Sequence, residues 1–140
     1  MDFDPNIWGP HYWFFLFTIA MSYPTRVNSV TKRKYYDFIQ NLPLFIPNPS
    51  IGNKFSHLLD KYPVSPYLDN RESFVRWVFF IHNKINVILN KPEITFDEAL
   101  RKYQEHYMPT HISIFEKYKT KENIVNFTIV VLILFIIFIV

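Results

Sequence analysis

Trp77-Val78-Phe79-Phe80-Ile81-His82-Asn83-Lys84-Ile85-Asn86 is the stretch on which the reading of this 140-residue chain turns. Phe74, Val78, Ile81, Ile85 and Ile88 recur at spacings of three and four, which makes one apolar stripe at helical period. His82 and Asn86, four apart, share a face beside that stripe, with Phe79 one turn back and Asn83 adjacent. A half-buried imidazole and half-buried amides need hydrogen-bond partners. The residues alone leave two readings open: polar side chains that tie a helix to neighbouring loops, or part of a site.

On both sides of this stretch the pattern predicts helices and no strands. The stretch belongs to a fourth helix at about 71–90, capped by Asp69 or Asn70. Before it, a first helix is expected at about 10–22, opened by Pro10, ended by Tyr23-Pro24 and apolar on most faces. A second, at about 28–39, turns Tyr35, Tyr36, Phe38 and Ile39 inward, and a third, at about 50–61, turns Ile51, Phe55, Leu58 and Leu59 inward. Thr95-Phe96-Asp97-Glu98 has the form of a capping box and opens a fifth helix to about residue 107. No segment alternates with period two, and no repeat is evident. The expected fold is therefore all-α: a four-helix bundle plus a short fifth helix.

Composition narrows the chemistry. Two glycines leave no Gly-rich phosphate loop, and a net charge of +3 without a dense basic block gives no sign of a nucleic-acid partner. With no cysteine there is no disulfide, no thiolate metal ligand and no Cys nucleophile. His106 and His111 are five apart across Pro109, so no metal site is expected. Residues 108–123 read as a polar linker after a domain at 1–107. Residues 124–140 are uniformly uncharged and apolar, and at 1.5 Å each they span roughly 25 Å, close to a ~30 Å hydrocarbon core. A C-terminal transmembrane tail anchor is the expectation, with membrane as partner and, from the preceding lysines, the helical domain on the cytosolic side.

The segments together resemble the FAD-linked sulfhydryl oxidases of the Erv/ALR type, small helical flavoproteins that oxidise dithiols. The resemblance runs from Trp8 to Tyr107. It is carried by Trp8-Gly9-Pro10-His11-Tyr12-Trp13 with Tyr23-Pro24 downstream, by Trp77, and by His82-Asn83-Lys84-Ile85-Asn86 followed by Lys91-Pro92. It implies FAD as cofactor, with Trp13, His82, Asn83, Asn86, Lys91 and Tyr107 as its contacts. Tyr103 and Tyr107 stand where the family has tryptophans. Two polar positions of the family are changed: its Arg is Pro10 here, and its helix-one His is Phe17. The sequence leaves open whether FAD still binds.

The redox cysteine pair of the family corresponds to Asn48 and Ile51, and its structural disulfide to Phe79 and Phe96. Neither Asn nor Ile can replace a thiolate in disulfide exchange. A cross-link closing a loop of about 16 residues contributes about 3 kcal/mol. Two buried rings in contact could recover a similar amount through burial and ring geometry. The expectation is a catalytically degenerate, membrane-anchored member with a structural or assembly role, in a membrane of a large DNA virus particle. A homodimer, or a heterodimer with a paralogue of the family, would suit it. The alternative is a flavoprotein that retains FAD and works with the thiols of a partner.

Overall fold

The computed structural model of the chain describes residues 3–108, 124–129 and 131. Two compact units divide the chain, Met1–Tyr103 and Gln104–Val140. The first carries the helical bundle, and its helices begin where short polar side chains can cap them. Asp4, Asn28, Asn48 and Asn70 cap α1 (Pro5–Met21), α2 (Ser29–Asn41), α3 (Pro49–Lys61) and α4 (Arg71–Ile88) respectively. Each side chain accepts from a backbone N–H of the first turn, at 2.8–3.2 Å. A cap of this kind contributes about 1 kcal/mol. Thr95 does the same at the start of α5 (Phe96–Glu105), where its Oγ1 accepts from the Glu98 N–H at 3.2 Å. Single 3-10 turns at Leu42–Phe45 and Ser65–Tyr67 fill the proline-punctuated connections.

α2 runs on to Asn41 and α5 stops at Glu105, and two further boundaries differ from expectation for clear physical reasons. α1 begins at Pro5, not at residue 10, because Asp4-Pro5 combines a capping carboxylate with a proline preset for the first helical position. Pro10 is thus inside the helix. α4 ends at Ile88, and Asn90 takes the left-handed conformation (φ 54°) that commonly stops a helix.

α1 packs mainly on α4, which explains why both are so apolar. Leu16, Phe17 and Ala20 meet a core that includes Phe74, Trp77, Val78, Ile81 and Ile85 of α4 and Phe55, Leu58 and Leu59 of α3. α4 is buried more broadly than one stripe: Val75 and Trp77 are also inside, and Ile88 is only partly covered. On α2, Ile39 is buried while Tyr36 faces solvent. The polar atoms of Tyr23 and Trp77 are satisfied. Tyr23 has no exposed surface, its hydroxyl donates to the Leu68 carbonyl at 2.7 Å, and Arg71 Nε donates to the Tyr23 carbonyl at 2.6 Å. Trp77 Nε1 donates to the Tyr62 carbonyl at 3.1 Å.

In the second unit, the Tyr107 N–H donates to the Gln104 carbonyl at 2.9 Å in a turn after α5. Residues 124–129 are helical and exposed. The expected transmembrane helix needs correction, and with it the tail anchor, the membrane as partner and the cytosol-facing location. Among the described residues no helix is long and apolar enough to cross a membrane. The rest of the expected linker and anchor, residues 109–123, 130 and 132–140, lies outside the described residues.

Candidate functional site

A cavity of about 210 Å³ opens beside the α1–α4 contact. Trp8, Trp13 and Leu16 of α1 wall it on one side, His82, Ile85 and Asn86 of α4 on another, and Ile51 and Phe55 of α3 on a third. Lys91, just past α4, lies at its edge and is exposed. The helical spacing of His82 and Asn86 puts both on the cavity wall. The walls are otherwise almost wholly apolar and aromatic.

His82 is the main polar feature. Trp13 meets its ring edge to face, with centroids 4.7 Å apart, and Phe17 lies 6.1 Å away. Burial pulls the imidazole down to about 4. The Asn83 side chain opposes that shift, while the charges of Lys102 and Lys91 add to it. The ring is therefore neutral at pH 7, with one nitrogen a donor and the other an acceptor. Its Nδ1 is buried and has no hydrogen-bond partner, which costs about 1–3 kcal/mol when nothing answers it.

Of the expected cofactor contacts, Trp13, His82, Asn86 and Lys91 are brought together around one cavity. Asn83 is not among them. Its Nδ2 donates to the Ile94 carbonyl at 2.9 Å and its Oδ1 accepts from the Ile94 N–H at 3.2 Å, so it clamps the segment that leads into α5. Asn86 has a weaker tie of the same kind, Nδ2 to the Pro92 carbonyl at 3.4 Å. Tyr107 falls in the second unit, past the end of α5. Tyr103 meets α1, its hydroxyl 3.2 Å from Thr18 Oγ1 and its ring 5.5 Å from Phe14.

Asn48 and Ile51 have plain local duties: Asn48 caps α3, and Ile51 is a buried hydrocarbon in the cavity wall. Pro10 also lines the cavity. Phe79 and Phe96 meet in a T-shaped contact, with centroids 5.4 Å apart and planes at 78°. Arg76 lies over the Phe96 ring at 4.8 Å. Among the described residues, no group of three His, Asp or Glu is placed to hold a metal.

Trp8 and Tyr12 are cavity residues that sequence reasoning missed. Starting the first helix at residue 10 left Trp8 in a lead-in. With α1 opened at Pro5, Trp8, Tyr12 and Leu16 follow one another at i, i+4 and i+8 on one face. Trp8 and Tyr12 contact each other at 5.1 Å, and the Tyr12 hydroxyl donates to the Phe45 carbonyl at 2.8 Å, which ties α1 to the first 3-10 turn. For Trp8 the signal that could have found it was Asp4-Pro5 as a helix start; Tyr12 lay within the expected helix, four residues before Leu16.

The protein is thus a small all-α bundle with an aromatic-walled cavity beside the contact of its first and fourth helices. The chain belongs to the Erv1 / Alr family, whose sequence profile matches residues 10–108. It is 29% identical over 107 residues to a probable FAD-linked sulfhydryl oxidase of Acanthamoeba polyphaga mimivirus, covering 76% of this chain and 75% of that one. It is 29% identical over 103 residues to the FAD-linked sulfhydryl oxidase of an African swine fever virus isolate, covering 74% and 85%. The fold is similar to that of the yeast Erv1 core crystal structure, with TM-score 0.66, 23% identity and coverage of 74% of this chain and 86% of that one. Unlike a protein that exchanges disulfides, this chain has no cysteine, so the thiolate chemistry of a dithiol oxidase is missing from it.

Proposed function

We propose that this protein is a catalytically degenerate member of its family that holds a flavin ring system in the α1–α3–α4 cavity and does not itself oxidise dithiols. The observation that carries the reading is the cavity wall. Trp13, His82 and Asn86 line it together, while the buried side chain of Ile51 supplies hydrocarbon. FAD is the cofactor that the family relationship brings with it, and the site suits its ring. Flat heteroaromatic rings favour aromatic walls, and the neutral imidazole of His82 beside Trp13 adds a polar ring to that wall. A flavin, when bound, can accept and pass on a pair of electrons. The roles of this chain's residues are narrower. Trp13 supplies an aromatic edge, His82 and Asn86 supply polar atoms, Ile51 and Phe55 exclude water, and Lys91 places one positive charge at the edge.

The test is direct. The full chain is expressed and purified, its visible spectrum and released flavin are measured, and oxygen uptake is followed with a small dithiol. The expected result is a flavin stoichiometry near one after reconstitution, with no dithiol-dependent oxygen uptake above free flavin. A folded helical protein that takes up no flavin would remove the ligand reading. Sustained dithiol oxidation would remove the degenerate one and favour a flavoprotein that draws on thiols of a partner.

A further inference from the structure

Resting on the flavin reading, we infer that the ring system carries nearly all the affinity of this cavity, so that riboflavin, FMN and FAD bind with similar strength. Diphosphates are bound by open backbone N–H groups at helix starts and by clustered Arg or Lys. Two helix starts border this cavity, through Pro5 on α1 and Ile51 on α3, and their backbone donors are used internally except the N–H of Ser50, which is not among the described lining residues. At α1, Pro5 has no N–H, Asn6 N–H donates to the Asp4 carboxylate at 2.8 Å, and the Ile7 and Trp8 N–H groups point to the Asp4 carbonyl at 3.0 and 3.4 Å. The same carboxylate places a negative charge at the one end of α1 where a phosphate would dock. At α3, Pro49 has no N–H, Ile51 N–H donates to Asn48 Oδ1 at 3.2 Å, and Gly52 N–H donates to the Asn48 carbonyl at 2.9 Å.

Cations are equally sparse. Among the described lining residues Lys91 is the one permanent positive charge, and it is exposed. Lys102, whose charge reaches His82, is paired with Glu98 at 2.9 Å. Size agrees with charge. About 210 Å³ is less than the ~300–1,000 Å³ of pockets that enclose a drug-sized ligand. The cavity suits a ring, and the remainder of a dinucleotide gains little from this surface.

The test is to titrate the full chain with riboflavin, FMN, FAD and ADP, following flavin fluorescence and heat. The three flavins should have dissociation constants within about tenfold of one another, about 1.4 kcal/mol. ADP should not displace riboflavin. Lys91→Ala should weaken FMN and FAD by no more than about fivefold, the range of an exposed ion pair, and leave riboflavin unchanged. FAD binding more than tenfold tighter than riboflavin, or ADP competing with riboflavin, overturns the inference and leaves the flavin site standing. If none of the three flavins binds, the flavin reading itself falls and the inference with it.

Discussion

Acidification should destabilise this protein through His82 before its carboxylates are involved. In the folded chain the imidazole titrates at about 4, against 6.5 for the unfolded group, and burial is the main cause. A base whose folded value is depressed takes up its proton first in the unfolded chain. Stability therefore rises with pH, is complete above about 6.5 and is lost as pH falls towards 4. Between pH 7 and pH 5 the unfolded imidazole becomes almost fully protonated while the folded one stays largely neutral. Linkage gives a loss of about 2 kcal/mol over that interval, and roughly 3 kcal/mol once pH has fallen well below 4. That is a large share of the ~5–15 kcal/mol that holds a domain folded. The assay is urea unfolding of wild type and His82→Gln, followed by helical circular dichroism at several pH values between about 7 and 5. The wild type should lose about 2 kcal/mol more than the variant, since all other titrating groups are common to both. Parallel curves would refute the reasoning, because they would mean that the imidazole is free to charge in the folded state.

The Phe79–Phe96 contact should behave as a coupled pair: each Phe→Ala change costs about 2–4 kcal/mol, and a double-mutant cycle on denaturant midpoints gives a coupling of about 0.5–1.5 kcal/mol. Additive losses would show that the rings act separately. Gly52→Ala should lower stability by about 1–3 kcal/mol despite the better helix propensity of alanine, because an added Cβ would sit 2.8 Å from the Pro43 carbonyl oxygen, a backbone atom that cannot swing aside. A thermal midpoint equal to or above wild type would contradict this. At Asn90, whose φ is 54°, Asn90→Gly should be neutral or mildly stabilising and Asn90→Val should cost about 1–2 kcal/mol, read from the same melts.

α2, α4 and α5 were legible because Asn28, Asn70 and Thr95 stand before apolar patterns of period 3.6, and α3 from its apolar pattern alone. α1 was harder, since two prolines compete for its start. Pro10 is a good first residue in isolation, but Asp4-Pro5 adds a carboxylate that Pro10 does not have, and an exposed Pro10 is tolerated inside. That single boundary left Pro5, Trp8 and Gly9, which line the cavity, outside the expected helix. His82, Asn86 and Trp13 were legible as neighbours because helical spacing and a shared motif both point to one face. Asn83 was not, because its amide can serve a ligand or a backbone equally well. The choice depends on where residues 91–95 run, which is a tertiary matter.

The pairing of α1 with α4 has a consequence for the protein while it is being made. From Met21, where α1 ends, to Ile88, where its main partner ends, a ribosome working at about 5–20 residues per second needs roughly 3–13 s. For those seconds the Phe- and Trp-rich face of α1 lacks the cover of its main partner, with only α2, the first 3-10 turn and α3 available to it. Aggregation of the nascent chain competes with folding in that window, and a chaperone that shields this one helix would act where the competition is decided.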